Sequence, residues 1–126
     1  MPRALLATLA LALSSLIACS QPASPTPTAG LTGVVMRGPI TPVCQVQIPC
    51  SAPFSADFSV EQNGRSVTRF HSAADGHFTV LLAAGVYRIV PDATAPIMFP
   101  QSQAKTVEVR SVGLTEVQLE FDTGIR

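Results

Sequence analysis

Alternation of apolar and polar residues with a period of two limits, more than any other feature, what this 126-residue chain can fold into. From Phe54 to Glu61, Phe54, Ala56, Phe58 and Val60 share one face and Ser55, Asp57, Ser59 and Glu61 the other. That is the pattern of a strand with one side on a core and the other in water. Val117, Leu119 and Phe121 alternate in the same way with Glu116, Gln118, Glu120 and Asp122, and Phe78, Val80 and Leu82 form a third inward row. Further β-rich runs at Leu31–Met36, Ser66–His71, Val86–Val90 and Thr106–Arg110 lie between turn signals. No helical stripe interrupts them. The expected fold is all-β, a seven-stranded antiparallel Greek-key β-sandwich of the prealbumin-like or Ig-like kind, in one domain over 31–126.

Asn63-Gly64 suggests a two-residue hairpin turn, but that register sets Arg69 opposite Phe58 and points it at the core. A three-residue loop, Gln62-Asn63-Gly64, with Gly64 as a left-handed bulge, avoids this. It predicts the pairs Glu61 with Arg65, Asp57 with Arg69, and Ala56 with Phe70.

At the amino terminus an uncharged, largely apolar run follows Arg3, begins at Ala4 and ends in Leu16-Ile17-Ala18-Cys19. The run is too short for a permanent spanning helix of about 20 residues and reads as a helical signal peptide over 1–18. Its last four residues resemble the lipobox of bacterial lipoproteins. The resemblance implies a diacylglycerol on the Cys19 thiol, cleavage before that residue, and a fatty acid such as palmitate on the new amino terminus. The alternative is an ordinary signal peptide cut near Ala18 that leaves a free thiol. Ser20 is not the aspartate that retains many lipoproteins at the inner membrane, so the outer membrane is the expected location in a diderm bacterium.

Residues 19–30 are uncharged, rich in Ser and Thr, and contain Pro22, Pro25 and Pro27, the composition of an extended linker. Eight basic residues balance eight acidic ones, and loss of Arg3 with the leader brings the mature charge to −1. A basic field that could hold nucleic acid is therefore missing. With Cys19 claimed by lipid, Cys44 and Cys50 remain as a pair in an exported, oxidising setting, which predicts a disulfide. Five intervening residues match neither a Cys-x-x-Cys redox motif nor the usual zinc knuckle.

The order of pieces resembles the carboxypeptidase regulatory-like, or prealbumin-like, domain. The resemblance is carried by Gly33 in the first strand, a Pro-rich insertion, Asp75-Gly76-His77-Phe78-Thr79-Val80, Leu82, and Gly85-Val86-Tyr87-Arg88-Ile89. His71-Ser72 replaces the Thr-Asp that this family often has. The ending Phe121 to Arg126, with the Cys44–Cys50 loop, is also similar to small bacterial envelope proteins of this type. The resemblance implies a non-catalytic binding or structural module in the envelope. A second expectation is a carrier of a small apolar or carbohydrate ligand, held in a starch-binding-like domain, a sandwich cavity or a transthyretin-like dimer channel. Tyr87 is expected to bury its ring and return its hydroxyl to loop backbone.

Chemical candidates are few. Asp122-Thr123-Gly124 matches an aspartic-protease motif, but only Ile125 and Arg126 follow it, so it reads as a strand terminus. His71, Asp75 and His77 flank one turn and are the weak metal candidates, with a solvated turn the simpler reading. Ile97, Met98 and Phe99 lie between Pro96 and Pro100, where they either form a docking tip or plug one end of the sandwich. A charged fraction of 13%, no Trp and one Tyr offer little for acid–base chemistry or sugar stacking. The expectation is no enzyme and no cofactor.

Overall fold

A computed structural model describes residues 29–126; the leader and Cys19 lie outside the described residues. In chain order the strands are β1 (Ala29–Gly38), β2 (Ala52–Pro53), β3 (Asp57–Gln62), β4 (Arg65–His71), β5 (His77–Leu81), β6 (Gly85–Pro91), β7 (Lys105–Val109) and β8 (Gly113–Asp122), with a 3-10 turn at Pro100–Gln103. They form two four-stranded sheets. In one, β1 is flanked by β5 and the short β2 on one side and pairs with β8; the other has the order β4-β3-β6-β7. The β-sandwich expected from the alternation is present, with an eighth strand of two residues inside the Pro-rich insertion. β1 begins at Ala29, so the last two residues assigned to the linker belong to the first strand.

The core is the sum of the inward rows. Leu31, Val35, Phe58, Val60 and Ile89 are completely buried. Five of the six phenylalanines join in one train: Phe78 stacks on Phe70 at 4.4 Å, Phe70 on Phe58 at 5.0 Å, and Phe58 and Phe54 both meet Phe121. Offset aromatic pairs add to plain area burial, and this train joins the two sheets. Tyr87 is buried and its hydroxyl donates to Ala83 O at 2.7 Å, the corner expected of it.

Two features depart from expectation. The pairing is not wholly antiparallel: β1 and β8, the first and last strands, run parallel through ten matched residues, Ala29 with Gly113 to Gly38 with Asp122. Parallel neighbours need a long crossover connection, and here the rest of the domain supplies it. The second departure is the β3–β4 register. Gln62 pairs with Arg65, so Asn63 and Gly64, at φ 52 and 76, form a two-residue turn of the type that matches strand twist. A bulge at Val67 then shifts the register, pairing Phe58 with Phe70, Ser59 with Arg69 and Asp57 with His71. The extra residue on β4 does what the three-residue loop was invoked to do: it turns Phe70, not Arg69, toward the core. The wet-face partners change accordingly. Asp57 pairs with His71 at 2.9 Å, Arg69 with Asp92 at 3.3 Å, and Glu61 with Arg88 at 3.5 Å.

Strand directions give the sandwich two unlike ends. The turns at 63–64, 82–84 and 110–112 are short and lie at the end where β1 begins. The long connections, 39–51 and 92–104, lie at the opposite end with the β4–β5 turn and the carboxyl terminus.

Candidate functional site

Long loops on a rigid scaffold are where binding residues concentrate, and here they are tied to one another at one end. Thr123 donates to Gly38 O at 3.0 Å through its amide and to Pro39 O at 2.6 Å through its hydroxyl. Met98 N donates to Asp122 O at 2.9 Å. Gln103 clamps the same place: its amide nitrogen donates to Met98 O and Asp122 O, and its side-chain oxygen accepts from Asp122 N. Arg37, at the end of β1, donates to Pro96 O at 2.9 Å and covers the Phe54 ring at 5.9 Å. On the same end Lys105 lies 5.3 Å from the Phe121 centroid, so two cations lid the aromatic train. Nothing in the sequence singles out Gln103, because the polar stretch Gln101-Ser102-Gln103 marks neither Gln over the other.

Asp122-Thr123-Gly124 is therefore a tether for the end loops. The Asp122 carboxylate accepts from Arg126, 2.9 Å away, and from Gly124 N at 2.8 Å, and these bonds hold its pKa below the usual 3.8. Asp75 and Asp92 are shifted the same way by bonds from His77 and Thr94. A depressed folded-state pKa means stability that is present above the ordinary value and lost as pH falls through the folded one. Melting temperature is thus expected to hold from neutral pH to about 4 and to fall below it. Asp122→Asn should show a smaller acid-dependent drop, and an equal drop would remove this residue from the account.

The disulfide loop closes the other side of this end. Cys44 and Cys50 are bonded, with Cα atoms 5.5 Å apart. Ile40 N donates to Cys50 O at 2.9 Å, which makes the base of the loop a short ladder. At its tip Ile48 N bonds Gln45 O at 3.3 Å and Gln47 sits at φ 70, so Val46 stands at the corner of a tight turn. Ile40, Val43, Ile48 and the two prolines Pro42 and Pro49 line a hollow of about 400 Å³. This apolar hollow lies within the loop, outside the two sheets.

The other candidates are dispersed. Ile97 is buried with Ala95 as a plug, Met98 is half-buried, and Phe99 is 72% exposed on left-handed backbone at φ 43. The segment is thus plug and exposed tip at once. His77 and Asp75 pair at 3.0 Å, while His71 turns to Asp57 and Ser55. Among the described residues no three His, Cys, Asp or Glu side chains converge as metal ligands. The β4–β5 turn is built by Gly76 at φ 79 and by Asp75, which accepts from His77 N at 3.1 Å.

One arrangement escaped the sequence reading. Asp57 accepts from His71 Nδ1 at 2.9 Å, and His71 Nε2 lies 2.9 Å from Ser55 Oγ, connected as in a hydrolytic triad. Its parts come from Ser55 and Asp57, two apart on one face, and from His71 directly across. No motif marks the set, because the cross-strand pairing depends on the Val67 bulge. The His71 and Asp57 side chains are 60% and 52% exposed on an outer sheet face. Water therefore competes for each bond and screens the carboxylate.

No protein-family profile matches this chain, and no curated protein sequence matches it. Among solved structures it is similar to a DUF3823 family protein from Bacteroides ovatus, with 25% identity and a TM-score of 0.51 over 73% of this chain. The match takes in 44% of that protein, so this chain corresponds to less than half of its length.

Proposed function

We propose that the protein is a bacterial envelope lipoprotein whose carboxypeptidase regulatory-like sandwich is a non-catalytic binding module, held to the membrane through Cys19. The observation that carries this reading is the polarity of the domain. A chain arriving from the lipid-bearing residue enters at Ala29, among the short turns, and every long loop is at the far end. Ten residues of Pro-rich chain between Cys19 and Ala29 could span roughly 30 Å, and β1 adds about 33 Å more, which would set the loops well clear of the bilayer. Presentation away from the anchor suits contact with another envelope component. The exposed Ser55–His71–Asp57 set lacks the dry enclosure that makes a triad effective, which favours binding over catalysis.

Metabolic labelling with an alkyne fatty acid tests the anchor. In a bacterium that processes lipoproteins the chain should incorporate the label and sediment with membranes, and Cys19→Ala should lose all of the label. An unlabelled parent chain recovered in the soluble fraction would sink the reading.

A further inference from the structure

Among the described residues the longest unpaired strand edge belongs to β8. One side of β8 is bonded to β1 in a register that runs without a break from Gly113 to Asp122, and no strand pairs with the other side. Asp122 shows which residues face outward. Its carbonyl accepts from Met98 N at 2.9 Å and its amide donates to Gln103, whereas the Thr123 amide points the opposite way, to Gly38 O at the end of β1. Backbone groups alternate sides along a strand, so Leu114, Glu116, Gln118 and Glu120 direct their amides and carbonyls to the same outer edge as Asp122. Among the described residues nothing bonds these groups, and all four residues are exposed. The end loop thus takes one rung of the edge and leaves the rest to water. The other edges are poorer templates: β2 has two residues, β5 and β7 five each, and β4 is bulged at Val67.

We propose that the open edge of β8 receives an extended basic segment of another protein as an added strand, paired along Leu114 to Glu120. A row of free amides and carbonyls is satisfied by extended polypeptide, with main-chain bonds giving affinity and alternate side chains giving specificity. The edge is about 20 Å long, which suits a segment of about seven residues. Charge selects the occupant. Glu116 and Glu120 stand on the wet face of β8, with Gln118 between them donating to Glu120 at 3.2 Å. Neither carboxylate is in an ion pair among the described residues, and their neighbours on β1, Thr32 and Met36, bring no countercharge. Lys or Arg at alternate positions of an added strand stands directly across from them. A second copy is the poorer occupant, because in any register it gathers four carboxylates on one face. A lipid surface offers no backbone rungs and, where anionic, repels both glutamates. The inference rests on the reading of the domain as a binding module, and not on the anchor.

The probe is a short synthetic peptide alternating Lys with Thr, added to the full chain at low ionic strength, with the Glu–Thr peptide as its counterpart. Amide hydrogen exchange should show protection gained at Glu116, Gln118 and Glu120 with the Lys peptide and not with the Glu peptide. Reversing both charges, Glu116→Lys with Glu120→Lys, should weaken the Lys peptide at least ~fivefold and make the Glu peptide the tighter ligand. Gln118→Pro removes a donor whose N–H faces solvent, so the melting curve stays cooperative while affinity for the Lys peptide falls at least ~fivefold. Absence of protection at these amides at roughly 1 mM peptide, equal protection by both peptides, or unchanged affinity in the charge-reversed chain overturns the proposal. Labelling at Cys19 reads the anchor separately: a labelled chain that takes no peptide at β8 loses this inference alone, and an unlabelled chain that takes it loses the anchor alone.

Discussion

Gly33→Ala should unfold the first sheet, with a loss of at least about 3 kcal/mol and a melting temperature lower by roughly 12 °C or more. Gly33 lies at the middle of β1, between β5 and the parallel β8. A Cβ built there would sit 1.8 Å from Val117 O and 2.8 Å from Val117 C. Both atoms are backbone, so no rotamer change can relieve the overlap. The strands would have to part at the centre of a ten-residue ladder that joins the two ends of the domain. Gly64→Ala is the matching control. Nothing lies within 4 Å of a Cβ at Gly64, although its φ of 76 disfavours one, so only the conformational cost of about 1 kcal/mol applies. Thermal melts of the two variants decide the matter. If Gly33→Ala melts no lower than Gly64→Ala, β1 and β8 do not approach as described.

Phe58→Ala is expected to cost about 3–5 kcal/mol, the range for removing a buried ring that neighbours cannot collapse upon. The Phe58 ring is fully buried and touches Phe54, Phe70 and Phe121, so its loss opens a void between the sheets. On a domain of this size that corresponds to a fall in melting temperature of roughly 12–40 °C. Phe58→Leu, which keeps most of the volume, should lose clearly less. Phe99→Ala, at a ring 72% exposed, should shift stability by no more than about 0.5 kcal/mol. Denaturant midpoints with unchanged slopes would confirm that folded-state packing is the cause. Equal losses at Phe58 and Phe99 would contradict the aromatic train.

These contrasts show where the sequence was legible. Phe54, Ala56, Phe58 and Val60 declared their inward face because period two leaves one choice of side. The partner across the sheet was not declared. One bulged residue, Val67, moved His71 opposite Asp57 and left Arg69 to Asp92, and a bulge at an ordinary valine has no compositional mark. Tyr87 was readable because a buried phenol must find an acceptor nearby. Gln103 was not, since its three bonds go to Met98 and Asp122, which only the folded end loops bring to it.

The sequence by itself determined what is local and periodic: an all-β chain, the inward rows, the Gly76 turn and the left-handed backbone at Gly64, and an available partner for Cys44 in Cys50. It could do so because alternation, positive φ and thiol pairing are written in neighbouring residues. Tertiary structure alone decided the parallel closure of β1 on β8, the split of Ile97 and Phe99 between core and solvent, and the grouping of long loops opposite Ala29. Each of these depends on residues far apart in the chain, whose contacts are chosen by the packing of whole sheets. The exposed apolar disulfide loop belongs to the second kind. Its composition is equally that of a buried plug, and only its position beyond the end of the sandwich puts Val46 in water.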